Sequence, residues 1–177
     1  MDTTNKGLEA LTILLGLEEF EVVAISADPQ QAKLSLAVVP RATAGLCPHC
    51  GVLCGDCHAA HERKIVDLPI GRHDTELTVC CYQFKCWKCQ RFFTPPYRSI
   101  AEGTHATERF LERMAQMIRF SDIANTATFF GVAEKTLETW YYQYLERRSR
   151  ARAPQPIRSM GIDELSLKKN SGSFAVC

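Results

Sequence analysis

The sequence lacks an apolar run long enough to cross a bilayer, and its amino end lacks the basic and apolar pattern of a secretory leader. A strong charge bias is also missing, because 21 Lys and Arg residues against 20 Asp and Glu residues leave a net charge of +1. The missing apolar run and the missing leader pattern argue against a membrane protein and against a secreted one. We therefore expect a cytoplasmic protein without a membrane partner.

Cysteine, by contrast, is abundant, with nine residues in a chain of 177. In a reducing cytoplasm, thiols are metal-bound or free and do not form a disulfide scaffold. The apolar fraction of 46% is typical of globular proteins, and the length accommodates one ordinary domain or two or three small ones. We expect several small domains.

Two Cys-x-x-Cys pairs organise the middle of the chain, CPHCG at 47–51 and CWKC at 86–89. Two residues between the cysteines let both thiolates of a tight turn face one cation, and two such turns complete a tetrahedral zinc site. The predicted ligands of a structural zinc are Cys47, Cys50, Cys86 and Cys89.

The residues between these pairs predict β structure. The segment 74–86 alternates between polar and apolar residues and is rich in β-branched and aromatic residues. This pattern predicts a strand whose last residue binds the metal. A short strand at 91–94 follows it, and 63–71 fits the first strand with its turn. Residues 41–100 are therefore interpreted as a zinc ribbon, with Arg63, Lys64 and Arg72 as possible phosphate contacts.

A third pair, Cys54 and Cys57, leaves the ligand set open. Its closeness to the first pair allows a different set of four ligands, or a second metal if two more ligands come from elsewhere. Cys80 and Cys81 are interpreted as strand residues, because adjacent side chains point to opposite faces and cannot both reach one ion.

The residues before the ribbon predict a helix and a hairpin. Apolar residues at helical spacing in 7–17 indicate a short amphipathic helix. Strand patterns at 19–27 and 33–39 flank a turn at 28–31. We assign residues 1–40 to this amino-terminal helix and β-hairpin.

After the ribbon the pattern becomes helical. Residues 107–120 carry an apolar stripe at helical spacing, and Thr104 or Thr107 is the candidate N-cap. Ser121 is the predicted start of a second helix that reaches Phe130, and the acidic Asp122 after it places negative charge near the amino end.

Residues 127–140 carry the signature of a helix-turn-helix motif, and we assign 101–152 to such a DNA-binding domain. Gly131 allows the turn its unusual backbone, and the second helix of such a motif enters the major groove. The predicted DNA contacts are Glu134, Lys135, Thr136, Glu138 and Thr139 on that helix and Arg147, Arg148, Arg150 and Arg152 after it. Two of them are acidic and repel phosphates, so a helical hairpin without DNA contact stays open.

Basic residues are unevenly distributed along the chain. Residues 1–40 hold two basic and six acidic side chains, 41–100 hold eight and five, and 104–152 hold eight and six. This gradient gives mild support for a nucleic-acid partner.

Residues 153–177 are interpreted as a linker followed by the start of another domain. The segment 157–167 fits a strand that presents Asp163, and 174–177 fits a second strand. The whole chain is thus expected to be α+β, with an incomplete carboxyl-terminal β-hairpin.

The order of these segments resembles the transposases of the ISL-three insertion-sequence family. CPHCG with the downstream DLP and CWKC are among its most specific parts, together with GIDE at 161–164. The resemblance implies a DNA transposase that binds the terminal repeats of its element, as double-stranded DNA, through the zinc ribbon and helix-turn-helix. It also implies strand cleavage and joining by metal-bound carboxylates, with Asp163 as the first carboxylate and Mg²⁺ as the ion of a complete nuclease domain.

Only the first strand pair of that nuclease domain is present, and one aspartate cannot assemble a two-metal site. We therefore interpret the chain as a truncated transposase, or an amino-terminal fragment, that keeps DNA recognition without catalysis. In that case Asp163 is a solvated residue at a strand end. A catalytic transposase completed by another chain, a protein-interaction module and a homo-oligomer remain alternatives.

Overall fold

The computed structural model describes residues 3–151, 162–163 and 175–176. The chain forms two units, Met1–Leu145 and Glu146–Cys177, whose boundary falls within the last helix. The helices are α1 (Thr3–Leu15), α2 (Glu108–Ile118), α3 (Ile123–Phe129) and α4 (Glu134–Ala151). The strands are β1 (Phe20–Asp28), β2 (Lys33–Pro40), β3 (Gly45–Leu46), β4 (Leu53–Cys54), β5 (Cys57–Ile70), β6 (His73–Lys85), β7 (Phe92–Phe93), β8 (Ile162–Asp163) and β9 (Ala175–Val176).

The described residues confirm a mixed α+β protein. The main sheet has the order β1-β2-β6-β5, and β7 pairs with the end of β6. The β1–β2 and β5–β6 pairs are antiparallel, whereas β2 runs parallel to β6. The sequence predicted both hairpins but gave no sign of the parallel ladder, which makes the amino-terminal hairpin and the long central hairpin one sheet.

Strand β6 serves two cores on its two faces. Every second residue of one stretch of β6 is buried in a core that includes residues of α1, β1 and β2. These residues are Leu77, Val79 and Cys81. Phe84 is buried on the other face, in a separate cluster with the cysteines of the two pairs. Successive side chains of a strand point to opposite faces, so one continuous strand connects the sheet core to the cysteine cluster.

Helices α2, α3 and α4 share a third core. The Phe110 ring on α2 lies 4.9 Å from the Phe130 ring and 6.2 Å from the Trp140 ring, centroid to centroid. Leu137 of α4 is fully buried in the same cluster. These contacts join α2 to the turn after α3 and to the first half of α4.

Capping residues set the starts of two helices. Thr107 is the N-cap of α2, because its hydroxyl accepts a hydrogen bond of 3.2 Å from the backbone N–H of Phe110. Asp122 is the N-cap of α3, and its carboxylate accepts from the N–H of Asn125 at 2.7 Å. Of the two candidate caps for α2, the structure therefore selects Thr107.

A buried carboxylate ties the helices to the sheet. Asp67 on β5 accepts hydrogen bonds from the Thr107 hydroxyl at 2.7 Å and from Arg109 Nε at 2.8 Å. A second guanidinium nitrogen of Arg109 pairs with the other carboxylate oxygen, and the third donates to the carbonyl of Leu15. This set of contacts joins β5, the first turn of α2 and the end of α1, so Asp67 and Arg109 fix three elements at one point.

The second unit is described in part. Strands β8 and β9 form an antiparallel pair in which Ile162 faces Val176 and Asp163 faces Ala175. The other residues of the predicted linker and hairpin, and Arg152, lie outside the described residues. The proposed domain boundaries at 40, 100 and 152 stay predictions.

None of the helices in the described part of the chain combines the length and the apolar character that a membrane crossing requires.

The substitution Asp67→Asn is expected to lower the free energy of unfolding by about 3 kcal/mol, because it leaves Arg109 without its carboxylate partner. Urea-induced unfolding measures this loss. The matched control is Glu76→Gln, which breaks the exposed 3.0 Å ion pair with Lys64 and should change stability by less than about 1 kcal/mol. Equal losses in both variants would show that the buried pair has no special role.

Candidate metal centre and nucleic-acid interface

The first cysteine pair lies in a tight, hydrogen-bonded turn. The N–H of Gly51 donates to the carbonyl of Cys47 at 2.8 Å, and the N–H of Cys47 donates to the carbonyl of Val52 at 2.9 Å. Gly51 has φ +71°, a left-handed conformation that glycine adopts without steric cost. The sequence Cys-Pro-His-Cys-Gly thus folds back so that both sulfurs face the same side.

The second pair repeats this geometry. The N–H of Gln90 donates to the carbonyl of Cys86 at 2.9 Å, and the N–H of Cys86 donates to the carbonyl of Arg91 at 2.9 Å. Gln90 takes the position that Gly51 has in the first turn, with φ +59°. A side chain costs about 1–2 kcal/mol in this conformation, so the surrounding structure must hold the turn closed.

The two turns bring four sulfurs together. Cys47 Sγ lies 3.6 Å from Cys89 Sγ, Cys50 Sγ lies 3.5 Å from Cys86 Sγ, and the four atoms all lie within 4.8 Å of one another. Tetrahedral zinc with Zn–S bonds of about 2.3 Å requires sulfur separations of about 3.8 Å. The four predicted ligands therefore form a cluster that could hold a metal ion such as zinc.

The thiols of the cluster differ in how their surroundings shift their pKa values. The N–H of Cys89 donates to Cys86 Sγ at 3.4 Å and lowers the pKa of the Cys86 thiol to about 6. For Cys50, a backbone hydrogen bond from Val52 lowers the pKa, but burial and the neighbouring thiols outweigh it and raise the value to about 12. Binding of a cation must expel the protons that remain, so affinity for the metal should fall as the pH falls.

The third pair does not join this set. Cys54 is buried against Phe84 and Phe93, and its thiol donates to the carbonyl of Val52 at 3.5 Å. Cys57 is exposed, and its thiol donates to a backbone carbonyl two residues on. Within the described residues, the one group of three or more candidate ligands is the set Cys47, Cys50, Cys86 and Cys89. Cys80 and Cys81 are strand residues on opposite faces, as the sequence indicated.

The turn between α3 and α4 lies directly against the sheet. Gly131 has φ +61°, and a Cβ at this position would lie 2.9 Å from a carboxylate oxygen of Asp74 on β6. The N–H of Val132 donates to the carbonyl of Ala127 at 3.1 Å and closes the turn. Gly131 thus permits both the backbone conformation and the close approach to the sheet.

The predicted contacts on α4 are mostly accessible. Glu134, Lys135, Thr136 and Thr139 are exposed, and Glu138 is half-buried. Lys135 Nζ pairs with Glu138 Oε2 at 2.6 Å, and this hydrogen bond raises the pKa of Lys135. The first two turns of α4 therefore present two carboxylates and one paired cation, which together attract phosphate weakly.

The predicted residues further along the chain are described unevenly. Arg148 and Arg150 are exposed, Arg147 is half-buried, and Arg150 pairs with Glu146 at 2.6 Å. The backbone of Asp163 lies in β8, and nothing is described of its side chain. Its role as a carboxylate ligand of Mg²⁺ stays a prediction, and so do the DNA contacts of α4.

The sequence did not single out Asp67 and Arg109 as structural residues. The signal was present in part, because Asp67 interrupts an apolar strand segment, and a buried carboxylate requires a partner. The partner lies 42 residues away in the chain, and no local pattern identifies it.

The chain is similar to the transposase for insertion sequence element IS1001 of Bordetella parapertussis, with 26% identity over 142 residues. The match covers 80% of this chain and 35% of the relative, so the chain spans about a third of the length of that protein. No family model and no solved structure matches. This similarity supports a relation to insertion-sequence transposases, whereas the ISL-three family stays a prediction.

The substitution Cys50→Ser should abolish stoichiometric zinc binding, because it removes one of four thiolates from a closed site. Zinc content is measured in reduced protein after dialysis against a chelator. The matched control is Cys57→Ser, which alters an exposed thiol outside the cluster and should leave one zinc per chain. Loss of zinc in the control, with zinc retained in Cys50→Ser, would show that other cysteines bind the metal.

Proposed function

We propose that this chain is the DNA-recognition part of an insertion-sequence transposase and that it binds the terminal repeats of its element as duplex DNA. In this proposal the four-cysteine cluster is a zinc ribbon and the pair α3–α4 is a helix-turn-helix. In this proposal the role of the chain is recognition of the ends of the element.

The similarity to an insertion-sequence transposase carries the proposal. A continuous stretch of 142 residues in a chain of 177 must include residues 36–142. That range contains both cysteine pairs, the whole of α2 and α3, and the first half of α4. The likeness therefore extends over the parts to which we assign recognition.

The fold supports the proposal through the way it fixes α4. Leu137 and Trp140 are buried against α2, while Lys135, Thr136 and Thr139 are exposed on the other side of the helix. A helix held in this way can present its first turns to the major groove without a change in the fold.

A catalytic role is the second candidate. It requires carboxylates from another chain to complete a Mg²⁺ site with Asp163, because two-metal chemistry needs several such ligands. The similarity to a transposase favours testing it in a strand-transfer assay of the chain with candidate partners. Asp163→Asn should abolish any activity found, and an unchanged activity would remove this candidate.

Duplex binding tests the proposed function. The chain should bind the repeats that flank its element more tightly than random duplex, with affinity that falls steeply as salt rises. The double substitution of Lys135 by Gln and Thr136 by Ala should weaken binding to the repeat about 10- to 100-fold, because it removes two contacts of the reading helix. Fluorescence anisotropy at fixed salt measures both affinities.

The matched control is Lys33→Gln, which removes an exposed cation on β2 and should leave the affinity for the repeat within about twofold. Equal affinity for repeat and random duplex in the unaltered protein would overturn the proposal. Full repeat binding by the Lys135 and Thr136 double variant would overturn the assignment of α4 as the reading helix.

A further inference from the structure

The second cysteine turn carries an unusual surface. Within eight residues, 85–92, the chain exposes two aromatic rings and three cations. Trp87 is 66% exposed and Phe92 is 48% exposed. We call this set the ring–cation patch, and its members are Lys85, Trp87, Lys88, Arg91 and Phe92.

The backbone holds the patch in one place. The bonds between Cys86 and Arg91 and between Gln90 and Cys86 close the turn, and the Gln90 side chain donates to the carbonyl of Trp87 at 2.7 Å. Lys85 and Phe92 face each other across the β6–β7 pair. All five residues of the patch therefore lie on or beside one closed turn and do not depend on a mobile loop.

Cations and rings are interleaved in the patch. Lys85 Nζ lies 5.9 Å from the centroid of the Phe92 ring, a cation–π distance, and the His58 ring lies 4.6 Å from the same ring. Arg91 is 3.3 Å from His49 Nδ1 on the first cysteine turn. Among the described residues, no carboxylate forms an ion pair with the cations of the patch.

The chemistry of the patch identifies a ligand class. Unpaired cations attract a polyanion, and exposed aromatic faces offer stacking surfaces for flat rings, so the patch matches nucleic acid better than an apolar protein surface. In a regular duplex the base faces are covered by their neighbours, whereas unpaired bases expose them. We propose that the ring–cation patch binds unpaired DNA bases through Trp87 and Phe92 and their phosphates through Lys88 and Arg91.

This inference rests on the proposed function and extends it to a second DNA contact. The amino-terminal turns of α4 are poor in free positive charge, because Glu134 and Glu138 accompany Lys135. The patch supplies cations that α4 lacks. A duplex whose end is partly unpaired would present paired bases to α4 and unpaired bases to the patch.

Anisotropy with three labelled probes tests the patch: a single-stranded oligonucleotide, a blunt duplex and a duplex of the same sequence with a single-stranded overhang. Trp87→Ala should weaken binding to the single strand and to the overhang duplex about tenfold or more, and leave the blunt duplex within about twofold. The affinity for the single strand is also measured as salt rises, and log affinity is plotted against log salt concentration. Lys88→Gln should make the slope of this plot less steep by about 0.7.

Two controls accompany these variants. Leu14→Ala removes an apolar side chain that is 80% exposed on α1, and it should leave binding to all three probes unchanged. Zinc content is measured for every variant. Loss of zinc would show that Trp87→Ala weakens DNA binding indirectly, by opening the cysteine turn. If Trp87→Ala loses zinc, the substitution Trp87→Phe is tested instead. It keeps an aromatic face and must retain both zinc and single-strand binding.

The results separate this inference from the proposed function. Unchanged single-strand and overhang binding in zinc-loaded Trp87→Ala would overturn the proposed role of the patch. This holds even if substitutions on α4 abolish binding to the repeat. A change in self-association of Trp87→Ala, with DNA binding intact, would also overturn it and assign the rings to a protein interface. Absence of repeat binding in the unaltered chain, with single-strand binding that depends on Trp87, would leave the patch standing and overturn the proposed function.

Discussion

Four sulfurs within 4.8 Å of one another impose the strongest constraint on this chain. As thiolates they repel one another, and as thiols they form only weak hydrogen bonds, so the sulfurs themselves do little to hold one another together. One divalent cation resolves both problems, because it attracts all four thiolates, offsets half of their charge and sets the sulfur separations that the two turns already provide.

Much of the remaining structure is built outward from this cluster. Strand β6 ends at Lys85, directly before Cys86, and carries the sheet core on one face and Phe84 of the cysteine cluster on the other. At the opposite end of the same hairpin, Asp67 and Arg109 attach α2 and α1, and Gly131 lies against Asp74. The central hairpin therefore connects the two surfaces to which we assign DNA contacts, the ring–cation patch and the first turns of α4.

Local patterns predicted the local features well. The two-residue spacing of the cysteines identified the four sulfurs that come together, alternation located β1, β2 and β6 to within about a residue, and Thr107 was a correct candidate N-cap. Features that join distant segments were missed. The parallel pairing of β2 with β6 depends on which faces are buried together, and the Asp67–Arg109 pair spans 42 residues, so neither leaves a periodic signal in one segment.

X-ray absorption at the zinc edge of the reduced protein counts the atoms bound to the metal and so tests whether the four cysteines hold it. We expect four sulfur neighbours at about 2.3 Å and no nitrogen or oxygen among the bound atoms. A shell that contains histidine nitrogen, or fewer than four sulfurs, would contradict a site built from Cys47, Cys50, Cys86 and Cys89.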